Sequence, residues 1–165
     1  MAEIDKICDG KIKHDGIFDF KEIYNFLYKW LKDSNYDVEE KSYTEKVKAE
    51  GKEIEVNWVA RRTISDYFRF QIKILIRVTG MINVETMKEG VKVKMNKGLL
   101  DIGVTSYLEK DYEHRWEALA LLKFMRGIYD KFIIKSRVEQ YEEKIAEETD
   151  EMIAQTKAFL ALEIH

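Results

Sequence analysis

The sequence predicts an α+β fold, in which an antiparallel meander of five or six strands carries a short N-terminal helix and a long C-terminal helix on one face. Three observations predict it. Apolar residues recur at helical spacing after Asp19, they alternate with polar residues from about 36 to 110, and helical spacing returns from about 113 to 162. The 165 residues suit one domain, so we expect a single unit over 1–165.

Composition indicates a globular protein of a reducing compartment. Hydrophobic residues make up 45% and charged residues 36% of the chain, which is enough apolar material for a core. Cys8 is the single cysteine, so no disulfide framework is expected within the chain. Apolar runs are short and broken by charges, so we expect a cytoplasmic protein with no signal peptide and no membrane span.

The first 18 residues alternate weakly between apolar and polar side chains. Residues 3–7 and 11–14 are typical of short edge strands, with Asp9-Gly10 between them and a second turn signal at Asp15-Gly16.

A helix is predicted over about 19–33. Asp19 and Glu22 have the spacing of a capping box, and Asp33-Ser34-Asn35 gives the stop signal. Between them the apolar stripe consists of Phe20, Ile23, Tyr24, Leu27, Trp30 and Leu31.

The strands are predicted over about 36–110. The segment Glu50-Gly51-Lys52 lies between two alternating runs and predicts a hairpin. The strongest strand runs from Tyr67 to Val78, with an apolar and a charged face, as in an antiparallel sheet with one wet side. The triplet Asn96-Lys97-Gly98 predicts another turn, after which Leu100 to Leu108 forms the last strand.

The long C-terminal helix is predicted over about 113–162, with a kink or break near Gly127 or Lys135-Ser136. Its first half is apolar on several sides, which predicts a helix pressed into the core. Its second half has a narrow apolar seam with steps of three and four residues, as in a coiled coil. We predict a protein interface at Val138, Tyr141, Ile145, Met152, Ile153, Phe159 and Leu160.

Charge is segregated along the same helix. Between Lys123 and Arg137 there are five basic residues and one acid, whereas between Val138 and Glu151 there are seven acids and one base. Opposite blocks on one rod favour self-association, head-to-tail or antiparallel, or the docking of a partner. The alternative interpretation is a solvated helix face with charge pairs of its own.

Two other binding functions are compatible with the sequence. A basic sheet face could bind single-stranded nucleic acid through Arg61, Arg62, Arg69, Lys73, Arg77, Lys92 and Lys94. Acidic residues on neighbouring strands, including Glu39 and Glu55, would instead pair with these side chains. The order of helix, strands and long helix is also similar to a helix-grip architecture, which would leave a cavity for a lipid or another hydrophobic ligand between sheet and helix.

Catalysis has the least support. The sequence contains no phosphate-binding glycine loop and no nucleophile elbow, so we name no catalytic residue and expect no cofactor. The cluster of Cys8, Asp9, His14 and Asp15 fits no metal template, and no metal site is predicted. The sequence therefore favours a non-catalytic protein that self-associates or docks a partner through its C-terminal helix.

Overall fold

The computed structural model describes residues 3–113, 124–125, 127–128 and 135–164. In chain order the elements are β1 (Glu3–Phe18), α1 (Phe20–Asp33), β2 (Asp37–Lys48), β3 (Gly51–Thr63), β4 (Phe68–Lys88), β5 (Val91–Lys110) and α2 (Lys135–Ile164). The strands form one antiparallel sheet in the order β1-β5-β4-β3-β2, so the α+β class is confirmed.

Helix α1 begins and ends where its capping residues predict. The Asp19 side chain accepts a hydrogen bond from the backbone N–H of Glu22 at 3.2 Å, which satisfies one of the free donors of the first turn. Asn35 follows the helix with a positive φ of 67°, a conformation that asparagine tolerates better than most residues. Ile23, Leu27 and Leu31 form the buried face.

The sheet has five strands, but their limits differ from those predicted. Instead of two short N-terminal strands, β1 is one 16-residue strand that continues through Asp9-Gly10 and Asp15-Gly16. It pairs with β5 along its length, with a bulge near Ile7. The long-range pairing with β5 overrides the local turn signals, because each added pair supplies hydrogen bonds that a turn would give up.

The prediction of a turn at Asn96-Lys97-Gly98 was wrong, because β5 runs unbroken through it. Strands β4 and β5 have 21 and 20 residues and form one long hairpin. A bulge at Gly80 and Met81 bends it, and residues 82–97 beyond the bulge form what we call the arm. Gly51 has a φ of 131°, and a Cβ there would lie 2.7 Å from the carbonyl carbon of Gly80, so the bend requires glycine.

The core lies between one face of the sheet, here the inner face, and both helices. Buried side chains of β3, β4 and β5 alternate toward the helices, among them Trp58, Phe70 and Ile102. The rings of Phe26 in α1 and Phe159 in α2 stack with centroids 4.5 Å apart, which places both helices on the same face as predicted.

The C-terminal region is described mainly from Lys135 onward. Glu113, where the helix was predicted to begin, lies in a turn, and the residues that follow it, 114–123, are outside the described residues. Phe124, Met125 and Ile128 lie in helical backbone and are exposed. The remainder of the half that was predicted to press into the core lies outside the described residues. No helix within the described ranges is long and apolar enough to cross a membrane.

Candidate docking surface

The predicted seam of α2 faces the chain's own sheet. Three residues of the seam are almost completely buried: the exposed fraction is 0% for Ile145, 0% for Met152 and 3% for Leu160. They therefore leave no surface for a second protein to cover. The four other predicted interface residues are partly buried against the same core: Val138, Tyr141, Ile153 and Phe159. The apolar seam was therefore placed correctly in the sequence, but in the structure its partner is intramolecular.

Polar members of the seam are accommodated without an external partner. The buried hydroxyls of Thr149 and Thr156 donate to the carbonyl oxygens of Ile145 and Met152, at 2.6 and 2.7 Å. On β1, Gly10 lets the helix approach closely, because a Cβ there would lie 2.5 Å from Cδ1 of Ile153. Helix α2 consequently packs mainly on β1 and β5.

Glu148, the remaining polar residue of the seam, anchors α2 to the other elements. Its carboxylate accepts hydrogen bonds from the Tyr36 hydroxyl at 2.9 Å and from Arg62 Nη2 at 2.8 Å. Arg62 Nη1 donates to the carbonyl oxygen of Ser34, and its guanidinium stacks on the Tyr36 and Phe70 rings. Burial and the Glu148 charge raise the pKa of Tyr36 well above its usual range.

The outward face of α2 carries a ridge of carboxylates. Glu139, Glu143, Glu147 and Glu151 are all exposed and follow one another at intervals of four residues. None of the four forms an ion pair with a described residue, although Glu151 accepts a hydrogen bond from Gln155. Toward the C-terminus the same face becomes apolar, with Ala154, Ala158 and a Leu162 side chain that is 72% exposed.

The basic residues proposed for nucleic-acid binding are largely engaged with acids. On the outer face of the sheet, Arg61 pairs with Glu39, Arg69 with Glu109 and Arg77 with Glu55. Arg62 lies on the inner face with Glu148. Lys73 sits 5.2 Å above the Tyr107 ring, and Lys92 and Lys94 lie in the arm. The ion pairs leave these arginines less available for phosphate contacts, and the nucleic-acid site stays a prediction.

A groove of about 320 Å³ opens where the arm passes the ends of the two helices. Its walls are mainly apolar and consist of Val93 and Met95 from β5 with Phe159 and Leu162 from α2. Asp19 and Glu22 lie on one rim and Lys88 on the other. This groove is the feature that most resembles the ligand cavity considered from the sequence.

Two titratable groups outside these surfaces have a pKa that burial raises. Burial and the hydrogen bond to Glu40 raise the pKa of Tyr24 to about 12. Burial also raises the pKa of the Cys8 thiol, which disfavours a reactive thiolate. His14 Nε2 lies 2.8 Å from the carbonyl oxygen of Ile17, and no group of acids, histidines and cysteines within the described ranges could hold a metal.

The fold and surfaces define the class of protein as a small α+β domain with an acidic helix face turned outward. A scan of protein-family models gives no match, and a search of curated proteins finds no similar sequence. The functional conclusion therefore depends on the surfaces themselves.

Proposed function

We propose that this is a docking protein that binds a basic, amphipathic segment of another protein on the outward face of α2. The observation that carries this proposal is the ridge formed by Glu139, Glu143, Glu147 and Glu151. The apolar seam of the helix is covered by the chain's own sheet, so docking through α2 uses the opposite face.

The ridge has an energetic cost within the isolated chain. Glutamates four residues apart on a helix repel one another by about 0.2–0.5 kcal/mol per pair. No cation among the described residues forms an ion pair with them, and the only basic residue between Val138 and Glu151 is Lys144. A positively charged partner would remove this repulsion, which gives the ridge a preference for cations.

The apolar end of the same face specifies a second property of the partner. Ala154, Ala158 and Leu162 are exposed and continue the face of the ridge toward the C-terminus. Small side chains permit close approach of another helix, and Leu162 supplies an apolar contact. A helix with basic residues at one end and apolar residues at the other matches both properties.

A binding assay with a defined probe tests the proposal. The probe is a fluorescent synthetic helix with lysines along one half of a face and leucines along the other, followed by anisotropy at low and high salt. We expect saturable binding that weakens as salt rises, because the ridge is solvent-exposed. Equal binding at both salt concentrations would contradict a role for the carboxylates.

Charge reversal gives the matched control. Replacing Glu143 and Glu147 by lysine should reduce the affinity at least tenfold. Replacing Glu50 and Glu89 by lysine changes the net charge equally, but these residues lie in turns of the sheet, so the affinity should stay within about twofold. A similar loss in both variants would show that only the net charge matters, and the proposal would then be wrong.

The groove beside the arm favours a second candidate function, the binding of a small hydrophobic ligand. Its apolar walls and volume match the lower end of small-molecule sites, about 300–1,000 Å³. Dodecanol added before native mass spectrometry should appear bound at one equivalent. Val93→Lys should abolish the adduct while leaving peptide binding on α2 unchanged, and an adduct that persists in this variant would exclude the groove.

A further inference from the structure

Strand β2 forms one edge of the sheet. Strand β2 is the last in the sheet order, and among the described residues its outer edge pairs with no strand. The strand has 12 residues and is mostly exposed, including 44% of Tyr43 and 81% of Val47. An open edge of this length offers a row of backbone hydrogen-bonding groups to another strand.

We infer that this edge binds the same edge of a second copy, in antiparallel register about a twofold axis at Tyr43. In a twofold pairing each residue on one side of the axis meets its counterpart on the other side. The two sheets then continue as one ten-stranded sheet. The case depends on which side chains this register brings together.

The structure shows on which face of the sheet each β2 side chain lies. Tyr43 lies on the inner face, where its ring packs 6.4 Å from that of Tyr24. Ser42 lies on the outer face, where it accepts a hydrogen bond from Asn57. Between Glu40 and Ser42 the register of β2 against β3 shifts, so Lys41 is an extra residue and the alternation changes there.

Because of this bulge, the faces match on both sides of the axis. Ser42 meets Thr44, both on the outer face. Beyond the bulge, Glu39 meets Lys46 and Asp37 meets Lys48, again on the outer face. On the inner face Val38 meets Val47, which is the most exposed large apolar residue of the described chain.

The pairing gives Lys46 an acidic partner from the second copy. Lys46 forms no ion pair with a described residue, and in the twofold register it lies opposite Glu39. Symmetry doubles every contact, so the edge forms four cross-strand ion pairs and two valine pairs. Glu39 and Lys48 share these contacts with Arg61 and Glu53 of their own copy. Glu40 lies opposite Glu45, which sets two like-charge contacts against the favourable pairs. Each favourable pair contributes about 0.2–1 kcal/mol in an antiparallel sheet, and each like-charge contact subtracts a similar amount.

The valines favour this register over the one with the axis at Thr44. Moving the axis to Thr44 leaves Asp37 beyond the end of the paired segment and places Val47 opposite the bulge, although Glu39 then still meets a lysine, Lys48. Lysines and bulges on edge strands commonly prevent pairing between molecules. Here two lysines lie opposite acids, and the contact between Val38 and Val47 distinguishes the register.

Helix α2 stays free in this dimer. It packs on β1 and β5, whereas the contact uses β2 at the other end of the sheet order. The dimer therefore presents two copies of the outward α2 face, and it neither requires nor blocks peptide binding there.

Sedimentation velocity over a concentration series tests the inference. The wild-type protein should shift from monomer to dimer as concentration rises. Val47→Asp should lower the dimer fraction at least tenfold, whereas Val91→Asp in the arm, 64% exposed, should leave it unchanged. A monomer at every concentration would overturn the inference, as would a dimer that Val47→Asp leaves intact.

A cysteine at the twofold axis tests the register directly. The result does not depend on why Val47→Asp changes the dimer fraction in sedimentation. In a Cys8→Ser background, Tyr43→Cys should form an intermolecular disulfide on mild oxidation, because residue 43 faces itself at cross-strand distance. Val47→Cys should crosslink much less, since it faces Val38. Equal crosslinking at both positions would contradict the register.

Charge exchange completes the test. Lys46→Glu places two acids opposite each other and should reduce the dimer. Adding Glu39→Lys should restore it, because the pair is then reversed in sign. A double variant that dimerises no better than Lys46→Glu would exclude this ion pair.

Discussion

The outer face of the sheet and the outward face of α2 both carry many acids. The two faces differ in whether those acids form ion pairs. On the sheet, Glu55 lies opposite Arg77 on the next strand and Glu109 lies opposite Arg69. On the helix, none of the four ridge glutamates forms an ion pair with a described residue. The acids of the sheet face are thus neutralised by arginines on neighbouring strands, whereas the outward face of α2 keeps an excess of negative charge.

The difference follows from geometry. A strand residue has neighbours from two other strands, so the register can place an opposite charge directly across from it. An outward helix residue has only the residues three and four positions away in its own chain. In the ridge the glutamates repeat every four residues, and Lys135 and Lys144 are the only basic residues of the sequence three or four positions from any of them. A cation from another molecule would therefore reduce the remaining repulsion.

The largest expected effect concerns Glu148, a glutamate of α2 that forms an ion pair with Arg62. Its side chain is 20% exposed and that of Arg62 is 15% exposed. Glu148→Ala should lower the free energy of unfolding by about 3 kcal/mol, because it leaves Arg62 and the Tyr36 hydroxyl without their acceptor. Urea denaturation measures this. Glu147→Ala is the adjacent control and should change stability by less than about 0.5 kcal/mol.

The next effect has opposite signs in the two regions. Glu143→Lys replaces two repulsive contacts on the helix by two attractive ones, and should raise stability by about 0.8–2 kcal/mol at low salt. Glu55→Lys places a second cation beside Arg77 and should lower stability by a similar amount. Thermal unfolding of both variants measures the two changes in stability. Changes of the same sign would contradict the expected difference between the helix face and the sheet face.

A smaller effect is expected for the ion pair between Glu55 and Arg77. Both side chains are about half-exposed, at 44% and 54%, so a double-mutant cycle should give a coupling below about 1 kcal/mol. The coupling should disappear in 1 M salt, since screening then acts within about 3 Å. Persistence at high salt would mean that packing, and not charge, joins the two residues.

The smallest effect appears on acidification. Hydrogen bonding and charge from Lys41, then Arg61, lower the pKa of Glu39 below its ordinary value of 4.5. A lowered pKa in the folded state contributes stability above pH 4.5, and this is lost as pH falls through the folded value. Segment-resolved hydrogen exchange should therefore show β2 losing protection as the pH falls below 4.5, and unchanged protection of β2 over that range would contradict this contribution.

Local patterns in the sequence predicted the fold class, α1 and the apolar seam of α2. The seam's residues face the core because helical periodicity identifies a buried stripe whatever covers it. The covering partner was not predictable, since an intramolecular sheet and a second subunit leave the same pattern. Glu148 had a signal, a lone acid within an apolar seam, but its partners Tyr36 and Arg62 are remote in sequence.

The limits of the strands could not be read locally. Asn96-Lys97-Gly98 and Asp9-Gly10 have turn composition, yet both lie inside long strands, because pairing between β1 and β5 determines their conformation. The self-complementarity of β2 likewise required the bulge at Lys41. Without it, alternation places Lys46 and Glu39 on opposite faces.

The pairing of β1 with β5 also predicts an order of assembly on the ribosome. Glu3 lies opposite Lys110, so the N-terminal strand has no partner until more than a hundred residues have been synthesised. Strands β2 to β5 follow each other as hairpins and can form as they emerge, whereas β1 must wait for the last of them. Helix α1, which follows β1 in the chain, can form early because its contacts are local. We expect the addition of β1 to the sheet to be the slow step of folding, because its partner β5 is remote in sequence.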